Sequence, residues 1–112
     1  MKSFSFNLPF KPKAKGRPRA GRHSMYTDKA TKEYEQAVKD AYALAKGPKF
    51  DGPICLSIIF NKDNMVVTIK EIKAESSLRG DLDNYIKSIM DGLNGAAYED
   101  DKCVLNIKAF KR

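Results

Sequence analysis

Phe4, Phe6 and Leu8 alternate with polar neighbours, which predicts a first strand that ends at Pro9. Residues 9–28 break the pattern: three prolines and two glycines stand among basic side chains, so a loop is expected there. Loops of that length in a small domain are usually functional or disordered. From Asp28, an expected cap, the apolar positions Tyr34, Val38, Ala41, Tyr42 and Ala45 repeat with the helical period, and Gly47-Pro48 stops them. A helix over residues 29–46 follows. Residues 53–60 and 65–72 read as two strands joined by the turn Asn61-Lys62-Asp63-Asn64. A second helix is expected over residues 82–93, with Asp81 near its N-cap and Asn94-Gly95 as its stop. Residues 103–110 alternate Cys103, Leu105, Ile107 and Ala109 against more polar positions and predict a last strand. The element order is then β-α-β-β-α-β. The pattern predicts an α+β chain of 112 residues forming a single domain, 1–112, with one mixed four-stranded sheet and two helices.

Composition narrows the class. Hydrophobic content of 42% suits a folded core. No apolar run approaches the roughly 18 residues of a membrane span, and no apolar signal core follows Met1, so a cytoplasmic protein without a membrane partner is expected. Cys55 and Cys103 lie in apolar, strand-like runs and are expected to be buried, reduced core residues. With a single histidine, His23, in a polar loop and no Cys-x-x-Cys pair, a zinc site is not expected.

Charge changes the picture. The net charge is +7, and residues 1–22 carry Lys2, Lys11, Lys13, Lys15, Arg17, Arg19 and Arg22 without an acid. The remaining 90 residues hold 14 basic and 14 acidic side chains, so the whole excess lies in this first block. A localised basic block is the electrostatic footprint of a polyanion partner. Against it stands an acidic island. Residues 81–101 contain Asp81, Asp83, Asp91, Glu99, Asp100 and Asp101 with Lys87 as the sole base, a net charge of −5.

Two readings of that island compete. In one, Asp81 or Asp83 caps a helix, Asp83 and Lys87 form a surface pair, and residues 99–101 are a solvated turn. In the other, the carboxylates hold a hard divalent cation, Mg²⁺ or Mn²⁺, which stops them repelling each other and DNA. An ion so held binds a phosphate oxygen and activates water. Lys87, one helical turn after Asp83, could offset charge at phosphorus or position the attacking water.

The stretch Arg79-Gly80-Asp81-Leu82-Asp83-Asn84-Tyr85-Ile86-Lys87 resembles the Asp-Leu-Asp-Asn-x-x-Lys signature of RusA-type Holliday junction resolvases. Asp91-Gly92-Leu93, Asp100-Asp101-Lys102-Cys103-Val104 and Lys111 are similar to later family features, and Lys15-Gly16-Arg17-Pro18-Arg19 to its basic loop. The resemblance implies a homodimeric endodeoxyribonuclease that binds four-way DNA junctions and nicks two strands symmetrically with Mg²⁺ or Mn²⁺, in recombination and repair. By position it implies that Asp81, Asp83 and Asp101 hold the metal and that Lys87 is the catalytic lysine. The short connection from Asn94 to Glu99 leaves the choice between Asp100 and Asp101 open. Lys11, Lys13, Lys15, Arg17, Arg19, Arg22 and Arg79 are the expected DNA contacts. A binding protein without catalysis, working through the basic loop alone, is the alternative, and an RNA-directed protein is a weaker one.

Overall fold

The computed structural model describes residues 1–14 and 29–112. Lys15, Arg17, Arg19, Arg22, His23 and the expected cap Asp28 therefore lie outside the described residues. The chain forms two compact units, Met1–Lys73 and Ala74–Arg112.

The first unit holds β1 (Ser3–Leu8), α1 (Lys29–Leu44), β2 (Ile54–Phe60) and β3 (Met65–Glu71). The expected hairpin is β2–β3, closed by the Asn61 N–H donating to the Asn64 carbonyl at 2.9 Å. β3 is central, in the order β1-β3-β2, and pairs antiparallel with both neighbours. Residues opposite each other in a ladder share a face. Phe6, Val67 and Ile58 therefore line one side, and Ser5, Thr68 and Ser57 the other. The polar side is stitched by a 3.0 Å hydrogen bond between the Ser5 and Thr68 hydroxyls.

Helix α1 packs on the apolar side. Tyr42 meets Phe4 and Phe6 edge-on at 5.7 and 5.0 Å, and Tyr34 meets Phe10 at 5.3 Å. The buried centre is Leu8, Met65 and Val67, surrounded by Phe6, Tyr34, Val38 and Ile69. The helix ends two residues before the expected boundary, where Lys46 takes a positive φ of 60° and the Gly47 N–H returns to the Tyr42 carbonyl at 3.1 Å.

A helix about 10 Å across covers roughly two strands spaced about 4.8 Å apart. The third is left open. Leu56 and Phe60 of β2 are 54% and 64% exposed, and they border an apolar groove of about 600 Å³ beside Val38 and Tyr42.

The second unit holds α2 (Leu82–Leu93) and a 3₁₀ turn (Asp101–Cys103). Ile86 and Met90, one turn apart, form the half-buried stripe of α2. Tyr98 and Val104 are half-buried as well.

Three expectations are corrected. The sheet has three strands among the described residues, not four, and it is antiparallel rather than mixed. Residues 103–110 form no strand: Cys103 closes the 3₁₀ turn, and residues 104–112 carry no regular element. Alternation marks two faces, but a strand exists only where its backbone finds a ladder partner, and residues 74–112 contain no other strand. Cys55 and Cys103 are free, as expected, but exposed rather than buried. Cys55 shares the side of the sheet that carries Ser57 and Thr68, opposite α1, and Cys103 lies in a surface turn.

Candidate metal and nucleic-acid site

The six acids of the island, Asp81, Asp83, Asp91, Glu99, Asp100 and Asp101, all belong to the second unit. Asp81 is the N-cap of α2, with extended backbone at φ −74° and ψ 140°. Its carbonyl accepts the Asn84 and Tyr85 N–H groups at 3.1 and 3.2 Å, which starts the helix. Its side chain makes no cap hydrogen bond. An N-cap aspartate ordinarily accepts a backbone N–H of the first turn. Here the carboxylate is exposed and not used in that way.

Asp83, in the first turn of α2, is also exposed, and its Oδ1 accepts the N–H of Asn84 at 3.0 Å. Lys87 follows one turn later and is exposed. Among the described residues no ion pair joins it to Asp83. Leu82, between the two aspartates, is 37% exposed rather than packed inward.

The end of α2 carries the third acid back. The Asn94 N–H closes on the Met90 carbonyl at 2.9 Å, and Gly95 takes φ +80°, a conformation that side-chain-bearing residues rarely adopt. The Gly95 N–H then meets the Tyr98 carbonyl at 2.7 Å, which returns the chain toward the helix end. The two aspartates that follow part company. Asp100 caps the 3₁₀ turn, its Oδ1 accepting the Lys102 N–H at 3.0 Å. Asp101 is half-buried, and its Oδ1 accepts the Tyr98 hydroxyl at 3.1 Å. Desolvation raises the Tyr98 pKa above 10.0, reinforced by that hydrogen bond and by the charges of Asp101 and Asp91.

Two further contacts had no signal in the local pattern. The Gly80 N–H donates to the Tyr85 hydroxyl at 2.9 Å, and the Lys111 ammonium donates to the Gly80 carbonyl at 3.1 Å. Only the 31-residue separation of Gly80 and Lys111 closing in space reveals the second.

Among the described residues no group of three or more His, Cys, Asp or Glu side chains is gathered closely enough to hold a metal ion. Asp81, Asp83 and Asp101 share a unit but do not form a ready cage. Their chemistry nonetheless fits a hard cation: all donors are carboxylate oxygens, and neither Asp81 nor the second oxygen of Asp101 is given over to a cap.

Of the expected DNA contacts, Lys11 and Lys13 are exposed in the first unit and Arg79 in the second. The carbonyl of Lys11 accepts the Tyr34 hydroxyl at 3.0 Å, which ties the start of the basic segment to α1. No helix among the described residues is long and apolar enough to cross a membrane.

The family model described as endodeoxyribonuclease RusA matches residues 9–112. No curated protein and no solved structure matches the chain.

Proposed function

The chain belongs to the endodeoxyribonuclease RusA family, and from that premise we propose that it is a divalent-metal-dependent nuclease that resolves four-way DNA junctions by paired symmetric cuts. One observation carries the reading: Asp81 occupies a helix N-cap without capping, so its carboxylate is available to a cation. In this reading Asp81, Asp83 and Asp101 hold Mg²⁺, for which Mn²⁺ substitutes. Asp101 is favoured over Asp100 because the family pairing uses the second of the two aspartates; each keeps one oxygen outside its hydrogen bond, to the Tyr98 hydroxyl and to the Lys102 N–H respectively.

Bound there, the ion would lower the pKa of a water and neutralise charge on the phosphate. The chain's own groups do the rest. Lys87 brings an ammonium to the face of α2 that carries Asp83, where it offsets charge developing at phosphorus. Lys11, Lys13, Lys15, Arg17, Arg19, Arg22 and Arg79 grip phosphates, which positions the duplex arms without reading bases. Hydrolysis joins a water oxygen to phosphorus, breaks one P–O bond and returns a proton to the leaving oxygen. Two symmetric cuts require two such sites, so the acting species is a homodimer with the whole chain serving as one nuclease domain. Its place is the cytoplasm, in recombination and repair.

The test uses a labelled four-way junction with Mg²⁺. Asp83→Asn is expected to bind the junction and leave it intact, while the wild type makes paired nicks near the branch point. Cutting by the variant at the wild-type rate removes the assigned site. A wild-type protein that shifts the junction yet never cuts it is a binding protein instead.

A further inference from the structure

We propose that Lys111 and Tyr85 are positioning residues that clamp Gly80 and thereby set the direction in which Asp81 presents its carboxylate, an inference that rests on reading Asp81 as a metal ligand. Both polar backbone atoms of Gly80 are held by side chains. The N–H is bonded to the Tyr85 hydroxyl at 2.9 Å and the carbonyl to the Lys111 ammonium at 3.1 Å. That carbonyl belongs to the peptide whose nitrogen is Asp81's own. Fixing its plane fixes the backbone from which the carboxylate departs.

The fit at Gly80 is close. A Cβ added there would come within 2.6 Å of the Tyr85 hydroxyl oxygen and 2.7 Å of Cζ. The tyrosine therefore fills the space a side chain would take. Tyr85 stands one turn into α2, so the helix itself aims the hydroxyl back at the residue before its cap. Lys111 is half-buried and reaches Gly80 from near the other end of the unit.

The choice of partner matters chemically. A lysine bonded directly to the Asp81 carboxylate would compete with a cation for its oxygens. Bonded to the preceding carbonyl, Lys111 orders the backbone and leaves the carboxylate uncommitted. Groups that orient metal ligands in this way typically contribute about 10–100-fold to metal affinity.

The experiment measures Mn²⁺ binding to the full chain without DNA, by titration with EPR detection of free Mn²⁺, alongside the thermal midpoint of each variant. Lys111→Met and Tyr85→Phe should each weaken Mn²⁺ binding roughly tenfold or more, with the midpoint little changed. Lys111→Arg, which keeps a charged donor, should recover most of the loss. The double variant should lose less than the product of the singles, because both contacts hold the same residue. Asp83→Asn is the reference. If it abolishes Mn²⁺ binding while Lys111→Met and Tyr85→Phe bind as the wild type does, the clamp is wrong and the metal site stands. If Asp83→Asn itself binds Mn²⁺ normally, the metal-site reading falls and takes the clamp with it. A loss in Lys111→Met that Lys111→Arg fails to recover also overturns the clamp.

Discussion

The Tyr98 hydroxyl donates to Oδ1 of Asp101 across 3.1 Å. The same hydroxyl lies 3.4 Å from the Met90 carbonyl, so the tyrosine bridges the end of α2 and the acid that follows the return turn. One proton serves one acceptor at a time, and the charged, nearer carboxylate is the stronger.

This relationship gives a pH dependence with a definite sign. The folded Tyr98 pKa is raised above its ordinary 10.0 by desolvation first and by Asp101 second. Its protonated form is therefore favoured by folding. The contribution to stability is complete below pH 10.0 and is lost as pH climbs through the raised folded value. Urea unfolding of wild type and Tyr98→Phe should show the wild type more stable at pH 8 to 9, with the gap closing as the medium becomes strongly alkaline. A gap that widens with pH would contradict the assignment.

Phosphate contacts through Lys11 and Lys13 should be visible as counterion release. Replacing both with glutamine is expected to reduce the salt slope of junction binding by roughly 2, while cleavage of pre-bound junction continues. Tyr34→Phe, which frees the Lys11 carbonyl, should cost about 0.5–1.5 kcal/mol of stability. Fluorescence anisotropy at stepped NaCl and urea melts measure the two effects.

Leu8 is 4% exposed and packs with Met65 and Val67 under α1. Leu8→Ala should destabilise the protein by about 2–5 kcal/mol. Ile59→Ala, on a residue 61% exposed in β2, should cost far less. Chemical denaturation of both variants checks the contrast.

Chelation should separate binding from cutting. With EDTA the protein is expected to shift a four-way junction without nicking it. Added Mg²⁺ or Mn²⁺ should restore the nicks. Cleavage that persists in excess EDTA would remove the ion from the proposal.

Where local signals agreed, the sequence read well. Asp81 before and Asn94-Gly95 after bounded α2 at Leu82–Leu93 as expected. The β2–β3 hairpin also appeared at its turn. The last strand failed for a reason periodicity cannot see. Cys103, Leu105 and Ile107 alternate correctly, yet ladder formation depends on a partner strand. The exposed cysteines failed for a related reason: the register puts Cys55 on the sheet side opposite α1, and Cys103 falls in a 3₁₀ turn rather than a strand. The acids themselves were identifiable from their crowding. That Asp81 does not cap, that Asp100 does, and that Tyr98, Tyr85 and Lys111 brace the neighbouring backbone were not. Those roles depend on side-chain directions and on contacts as far as 31 positions apart.

The central place of β3 has a kinetic consequence. Its pairing with β2 closes a four-residue turn from Asn61 to Asn64, whereas its pairing with β1 joins Ser3 to Lys70. The first event is local and belongs to the microsecond regime of hairpins, about 1–10 μs. The second must bring together segments separated by most of the first unit, and high contact order slows it. The hairpin is therefore expected to nucleate first, and the N-terminal strand to complete the fold last. Until it arrives, the free rim of β3 is an aggregation hazard, so deleting the first eight residues should yield insoluble protein rather than a smaller native one.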